Sequence, residues 1–466
     1  MHGWDDTTER LAREVVELAL ARMRMDPPLD HSKTFSELSA AVGQTVTPSG
    51  LGGHEALRRF DEELAPACIS TDHPRFLAFI PGAPAEAASL FDLYVSAASL
   101  YGGSWLEGSG AVYAENQALR WLADLAGYPA EAGGVFVSGG TNGNLSALVA
   151  AREYARYKRG DRPRRWVVAA SDEAHSSIQH AARVMDFDIL DVPVPADGPM
   201  AGRLTGPLVR AAMTKLDPAD ALFAIVASSG TTNYGVVDDL VSLADLADAE
   251  DLWLHVDGAY GGAGLAAPSV RHLYNGIERT DSFIVDPHKW LFAPYDACAL
   301  IYREPRLARA AHNQKAGYLD AIQSETDWNP SDYAVHLSRR ARGLPLWFAL
   351  ATNGTDAFQA SLERTIDVAR FAESEVQRRP EFELVRDRDL SVVVFRRLGW
   401  EPTDYSRWSD YMLDSGIAFV TPTKHRDETV TRVAVVNPRT TEADITLIFD
   451  SMAEWAPGTI REPLPR

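Results

Sequence analysis

Asp286-Pro287-His288-Lys289-Trp290 is the stretch that decides how this chain is read. It follows an apolar run, Phe283-Ile284-Val285, with the character of a buried strand. A lysine just past such a strand is unusual, because taking its ammonium out of water is costly unless it is paired or neutralised. A desolvated lysine can lose its proton and condense with an aldehyde, which is one reason to keep it there. The aldehyde most often met in that role is pyridoxal 5′-phosphate (PLP). A lysine snorkelling from a strand end is the plain alternative.

Upstream, Trp253-Leu254-His255-Val256-Asp257 is a second apolar strand ending in a carboxylate, followed by Gly258-Ala259-Tyr260. The PLP ring works as an electron sink when its pyridine nitrogen stays protonated, and a neighbouring carboxylate keeps it so. Gly258 and Ala259 are small enough for a flat ring to lie against the backbone. By itself Asp257 would more commonly be a helix N-cap after a strand. Val135-Phe136-Val137 runs into Ser138-Gly139-Gly140-Thr141-Asn142-Gly143-Asn144 and then a helical pattern through Leu145, Leu148 and Val149. A Gly-rich turn opening a helix offers free N–H groups and the positive dipole end to a phosphate. The turn has neither the spacing nor the lysine of a P-loop. Glu173-Ala174-His175-Ser176-Ser177 follows the strand 166–170, and Ser228-Ser229-Gly230-Thr231-Thr232 follows the strand 224–226. Singly, His175 is an ordinary polar group and Thr232 an ordinary turn residue. As an ordered set they stand at strand ends, where open α/β sheets place their ligands.

With these motifs the sequence resembles the group II PLP-dependent amino acid decarboxylases, of the aromatic L-amino acid decarboxylase type. The resemblance runs through Ser138-Gly139-Gly140-Thr141, Ala174-His175-Ser176-Ser177, Gly230-Thr231-Thr232, His255-Val256-Asp257-Gly258-Ala259-Tyr260-Gly261-Gly262 and the Lys289 pentapeptide. Leu337-Ser338-Arg339-Arg340-Ala341-Arg342-Gly343-Leu344 and Val435-Val436-Asn437-Pro438-Arg439-Thr440-Thr441 complete it. It implies an α/β, fold-type I enzyme that releases carbon dioxide from an L-amino acid. It also implies residue roles. Lys289 holds PLP as a Schiff base, Asp257 pairs with the pyridine nitrogen, and His175 stacks on the ring with Ala259 on the opposite face. Thr232 contacts the cofactor beside Asp257, and Gly140 and Thr141 donate to the phosphate with His288 nearby. Asp286 stays unassigned. Relatives use a tyrosine on a mobile loop to protonate Cα, here within about 317–337. Tyr333 is the best match for that acid and Tyr318 the second.

The chain departs from the family pattern in three places. The gap from Tyr333 to Arg339-Arg340 is short, Asn142-Gly143 replaces Glu-Ala, and Gly108-Ser109-Gly110-Ala111 replaces Ser-Pro-Ala. Phe79-Ile80-Pro81-Gly82 and Trp105 fall in segments that pack on substrate side chains in aromatic decarboxylases, which favours an aromatic or apolar substrate over glutamate.

Composition agrees with this class. The chain has 466 residues, 46% apolar, enough for a large core with smaller attached units. Acidic residues outnumber basic ones 65 to 45, and the net charge of −20 disfavours nucleic acid or anionic membranes as partners. Cys68 and Cys298 are far apart and form no metal-ligand spacing, so no metal is expected and a reducing cytoplasm is the simplest compartment. No signal peptide and no membrane-length apolar run is apparent. Leu11, Val15, Leu18 and Arg22 share one helical face before Met25-Asp26-Pro27-Pro28 breaks the helix. Residues 1–74 are therefore read as a helical arm, which by resemblance wraps a second copy in a homodimer. Residues 75–348 alternate strands and helices, as a mostly parallel sheet requires. Residues 349–466 read as a small α+β domain.

Three rival functions also fit the sequence. Decarboxylation could be coupled to oxidative deamination, giving an aldehyde. The chain could bind PLP without catalysis, which the intact Lys289, Asp257 and His175 argue against. An aminotransferase would need a small-domain arginine for the substrate carboxylate, and only Arg439 tempts that reading.

Overall fold

A computed structural model of the chain describes residues 2–196, 198, 200–314 and 327–460. Seven strands, β1 (Gly133–Val137), β2 (Trp166–Ser171), β3 (Asp188–Val192), β4 (Ala221–Ser228), β5 (Trp253–Asp257), β6 (Ser282–Val285) and β7 (Cys298–Tyr302), form one sheet. Their order is β1-β7-β6-β5-β4-β2-β3. The sheet is parallel except for β7, which runs against both β1 and β6. Side chains of β4, β5, β6 and β7 are buried almost throughout, as continuous apolar strands covered by helices on both faces must be. A second, antiparallel sheet is built from β8 (Phe382–Leu384), β9 (Val392–Arg397), β10 (Pro422–His425) and β11 (Glu428–Ala434), in the order β10-β11-β9-β8. The change of pattern expected after about residue 350 thus corresponds to a change from parallel to antiparallel pairing.

Two features position the cavity. The helix Gly140–Arg159 leaves β1 and lies very close to the sheet. A Cβ on Gly143 would sit 2.8 Å from Ile284 Cγ2 and 2.9 Å from Cys298 Sγ, so only glycine allows that approach. The two sheets are tied together beside the same strand ends. Tyr260 Oη and Ser391 Oγ share a 2.5 Å hydrogen bond, and Tyr260 Oη also accepts from Ser391 N–H at 3.0 Å. Leu77 bridges toward the second sheet, donating to Phe419 O at 2.9 Å and accepting from Ala434 N–H at 3.0 Å.

The helix Asp6–Arg24 starts at Asp5, whose carboxylate accepts from Thr7 and Thr8 N–H, and stops before Met25 and the two prolines. None of its residues is fully buried, and Val15, Val16 and Leu18 are exposed.

The Arg339 motif has a structural reason. The guanidinium of Arg339 donates to both oxygens of Glu115 at 2.5 and 2.7 Å, and Glu115 also accepts from Gly343 N–H at 2.8 Å. Both side chains are essentially inaccessible. Removing one partner strands the other charge in the core. Arg339→Leu should therefore destabilise the protein by about 3–5 kcal/mol, read as a lowered denaturant midpoint. A midpoint within error of wild type would contradict this.

Candidate active site

The C-terminal ends of β1, β4, β5 and β6 open into one cavity of about 560 Å³. Lys289, Asp257, His175, Ala259, Thr232, Gly140, Thr141 and His288 all line it. The eight cofactor-contacting positions expected from sequence are therefore brought together, although they span 150 residues of chain.

Lys289 lies in the short helix Pro287–Trp290 that begins where β6 ends. Its Nζ sits 3.0 Å from Asp286 Oδ2, which makes Asp286 its direct ion-pair partner. Burial pushes the Lys289 ammonium down, but the Asp286 carboxylate, assisted by Asp257, outweighs it and the net shift is upward. The other Asp286 oxygen, Oδ1, is buried and has no hydrogen-bond partner. His288 turns its Nδ1 to the backbone of Ala297 and holds Nε2 3.8 Å from Asp286.

Asp257 closes β5. Its Oδ1 accepts from Ala259 N–H at 3.1 Å, and its Oδ2 accepts from Asn144 Nδ2 at 2.8 Å. At the mouth of the phosphate-type turn, Gly140 and Thr141 are the first residues of the helix Gly140–Arg159, so their N–H groups have no acceptor within it. A Cβ on Gly140 would come within 3.1 Å of Ala259 Cβ and 3.2 Å of Asp286 Oδ2 and would fill this part of the cavity. Gly230, with φ +95°, turns the chain sharply between β4 and Thr231-Thr232.

These groups fit PLP. They comprise an amine, a carboxylate at the end of a buried strand, and unpaired N–H groups at a helix start. Phe79 and Ile80 also line the cavity. Phe79 is 59% exposed, holds a positive φ of 51°, and lies edge-on to Phe419 at 6.0 Å.

Two expected positions, Tyr333 and Trp105, are not among the residues lining the cavity. Tyr333 is buried, stacked on Trp328 at 4.3 Å, with its carbonyl accepting from Tyr302 Oη at 3.1 Å. That burial in the core beside β7 raises its phenol to about 12. Tyr318, the second candidate, lies outside the described residues. Trp105 begins the helix Trp105–Leu125 and is not among the lining residues. Arg439 pairs with Asp26 at 2.9 Å, away from Lys289, so no aminotransferase-type arginine comes from this motif. Sequence reasoning gave no role to Asn144, Tyr295 or Asp296, all of which line the cavity. The helical spacing from Gly140 to Asn144 was the available signal for the first.

The fold and this set of groups define a PLP-dependent enzyme of fold-type I. Residues 55–398 match the family model for the pyridoxal-dependent decarboxylase conserved domain. The chain is 28% identical to an aromatic-L-amino-acid decarboxylase of Bacillus atrophaeus over 454 residues, covering 94% of this chain and 93% of that protein. It is 30% identical to tryptophan decarboxylase 2 of rice, Oryza sativa subsp. japonica, over 404 residues, covering 82% and 81%. Among solved structures, that of an Oryza sativa TDC with PLP and tryptamine superimposes with a TM-score of 0.90 at 26% identity, covering 97% of this chain and 99% of that one. The chain belongs to the pyridoxal-dependent decarboxylase family. It is a PLP-dependent carboxy-lyase of amino acid metabolism.

The Lys289–Asp286 pair has a signed consequence. Its contribution to stability is present below the ordinary lysine pKa and is lost as pH rises through the raised value. Asp286→Asn removes the main opposing charge and should move the pH at which Lys289 becomes a reactive amine down by about one pH unit or more. Labelling of the cofactor-free protein with trinitrobenzenesulfonate, followed at the Lys289 peptide, checks it. An unchanged or upward-moved profile would contradict the assigned pairing.

Proposed function

We propose that this protein decarboxylates L-amino acids with aromatic side chains, giving the amine and carbon dioxide. The observation that carries the reading is the Lys289–Asp286–Asp257 cluster opening onto a cavity whose mouth presents Phe79, Ile80 and Tyr295. An apolar, partly aromatic mouth suits an indole or phenol better than a second carboxylate. The relatives named for aromatic amino acids and tryptophan support the same class.

When bound, PLP supplies an electron sink for the pair released as the Cα–carboxylate bond breaks. In our reading Lys289 holds it through its amine, and Asp286 controls whether that amine carries a proton. Asp257 holds a proton on the pyridine nitrogen. Gly140 and Thr141 N–H, at the positive end of their helix, bind the phosphate, with His288 beside them. His175, Ala259 and Thr232, which line the cavity with Asp257, would hold the ring in place.

We further infer a homodimer, a division into arm (1–74), large domain (75–348) and small domain (349–466), and a reducing cytoplasmic setting. Leu90, Leu93, Tyr94, Leu106 and Tyr113 are exposed apolar groups on the helices Glu86–Ala97 and Trp105–Leu125, a natural seat for a second copy. Both cysteines are free, and no helix among the described residues is long and apolar enough to cross a membrane.

The test is turnover of an L-amino acid panel by the PLP-loaded enzyme, following carbon dioxide, ammonia and oxygen together. Aromatic substrates should yield carbon dioxide without ammonia or oxygen uptake, and Lys289→Ala should abolish turnover. Matched oxygen consumption and ammonia would instead establish the aldehyde-forming reaction. Preference for glutamate would overturn the substrate class. Within the same assay, Tyr318→Phe should divert product from amine toward aldehyde and Tyr333→Phe should not. The reverse result would return the acid to Tyr333.

A further inference from the structure

Asn144 sits at the centre of a hydrogen-bond chain that joins Asp257 to His175. Its Nδ2 donates to Asp257 Oδ2 at 2.8 Å and to Ser177 Oγ at 2.9 Å, and its Oδ1 meets His255 Nε2 at 2.9 Å. His255 Nδ1 lies 2.8 Å from Ser282 Oγ, which also accepts from Trp253 Nε1 at 2.9 Å. Ser177 in turn places both Oγ, at 2.9 Å, and its backbone N–H, at 3.1 Å, on His175 Nδ1.

Donor and acceptor chemistry fixes the protons along the run from Asp257 to Ser282. A carboxylate can only accept, so Asn144 must present its NH₂ to Asp257 and its carbonyl to His255. His255 therefore carries its proton on Nε2 and receives the Ser282 hydroxyl proton on Nδ1. Burial keeps that imidazole neutral by lowering it to about 4. Ser177 Oγ accepts from Asn144, and its hydroxyl shares His175 Nδ1 with the Ser177 backbone N–H. The Nδ1 of His175 is then an acceptor, and in the neutral ring the proton sits on Nε2. Asn144, His255 and Ser282 are all 1% exposed or less, so water cannot substitute for a missing partner.

We propose that Asn144 is a positioning residue: it fixes the carboxylate of Asp257 and, through Ser177, the ring of His175 as one unit against the cofactor. The inference rests on the PLP reading of the site. Asn144 does not touch the reacting atoms in this assignment and acts through Asp257 and His175. The Ser177 backbone N–H holds the His175 tautomer independently, so the larger effect of Asn144 falls on Asp257.

The experiment is a double-mutant cycle on PLP affinity, titrating PLP into the cofactor-free full chain and following lysine-bound cofactor absorption and tryptophan fluorescence. Asn144→Leu should weaken PLP about 10- to 100-fold, the scale of a lost hydrogen bond to a charged group. In an Asp257→Ala background the same substitution should cost markedly less, because its main target is gone. Asn144→Ser, which keeps one donor, should restore part of the affinity. If Asn144→Leu fails to fold, Asn144→Ser carries the cycle with the same non-additive outcome expected. Wild-type affinity in both variants, or fully additive losses with Asp257→Ala, would overturn the inference and leave Asn144 a packing residue. A wild-type chain that takes up no PLP would overturn the functional reading and this inference with it.

Discussion

One constraint organises the molecule: charged groups must be held at the buried ends of apolar strands. Asp286 is 2% exposed and Asp257 8% exposed, positions that a lone carboxylate occupies only at high cost. Each is made tolerable by a specific partner. Asp286 has the Lys289 ammonium at 3.0 Å, and Asp257 has the Asn144 amide and the Ala259 N–H.

The surrounding fold serves that constraint. Parallel strands β4, β5 and β6 deliver Ser228, Asp257 and Asp286 to one edge, and the reversal at β7 returns Cys298 beneath them. The Gly140–Arg159 helix must approach the sheet closely for Asn144 to reach Asp257, which explains why the residue before it is glycine. The second sheet anchors the opposite rim through Tyr260 and Ser391. Substitutions far from Lys289 can thus disturb the cavity by moving the Gly140–Arg159 helix.

Much of this was legible in the sequence, for a local reason. Apolar runs ending in polar residues mark strand ends, and strand ends in a parallel sheet converge, so Lys289, Asp257, His175 and Thr232 could be gathered without coordinates. What escaped was non-local. The partners of Asn144 lie 113 and 111 positions away, at Asp257 and His255, and no local pattern announces such pairing. The packing of Tyr333 escaped for the converse reason. The Asp332-Tyr333 pair matches a loop signature locally, but Trp328, five residues before it, supplies a stacking partner and packs across Gly133 at the sheet edge. The aromatic pair is therefore drawn into the core.

The claim on which everything else depends is that Lys289, of the six lysines in the chain, is the one that holds PLP. Borohydride reduction of the PLP-loaded protein, followed by peptide mapping, measures this directly. The label should fall on the peptide containing Lys289 alone, at one equivalent per chain. Label on another lysine, or spread over several, would contradict the assignment of the cavity as the active site.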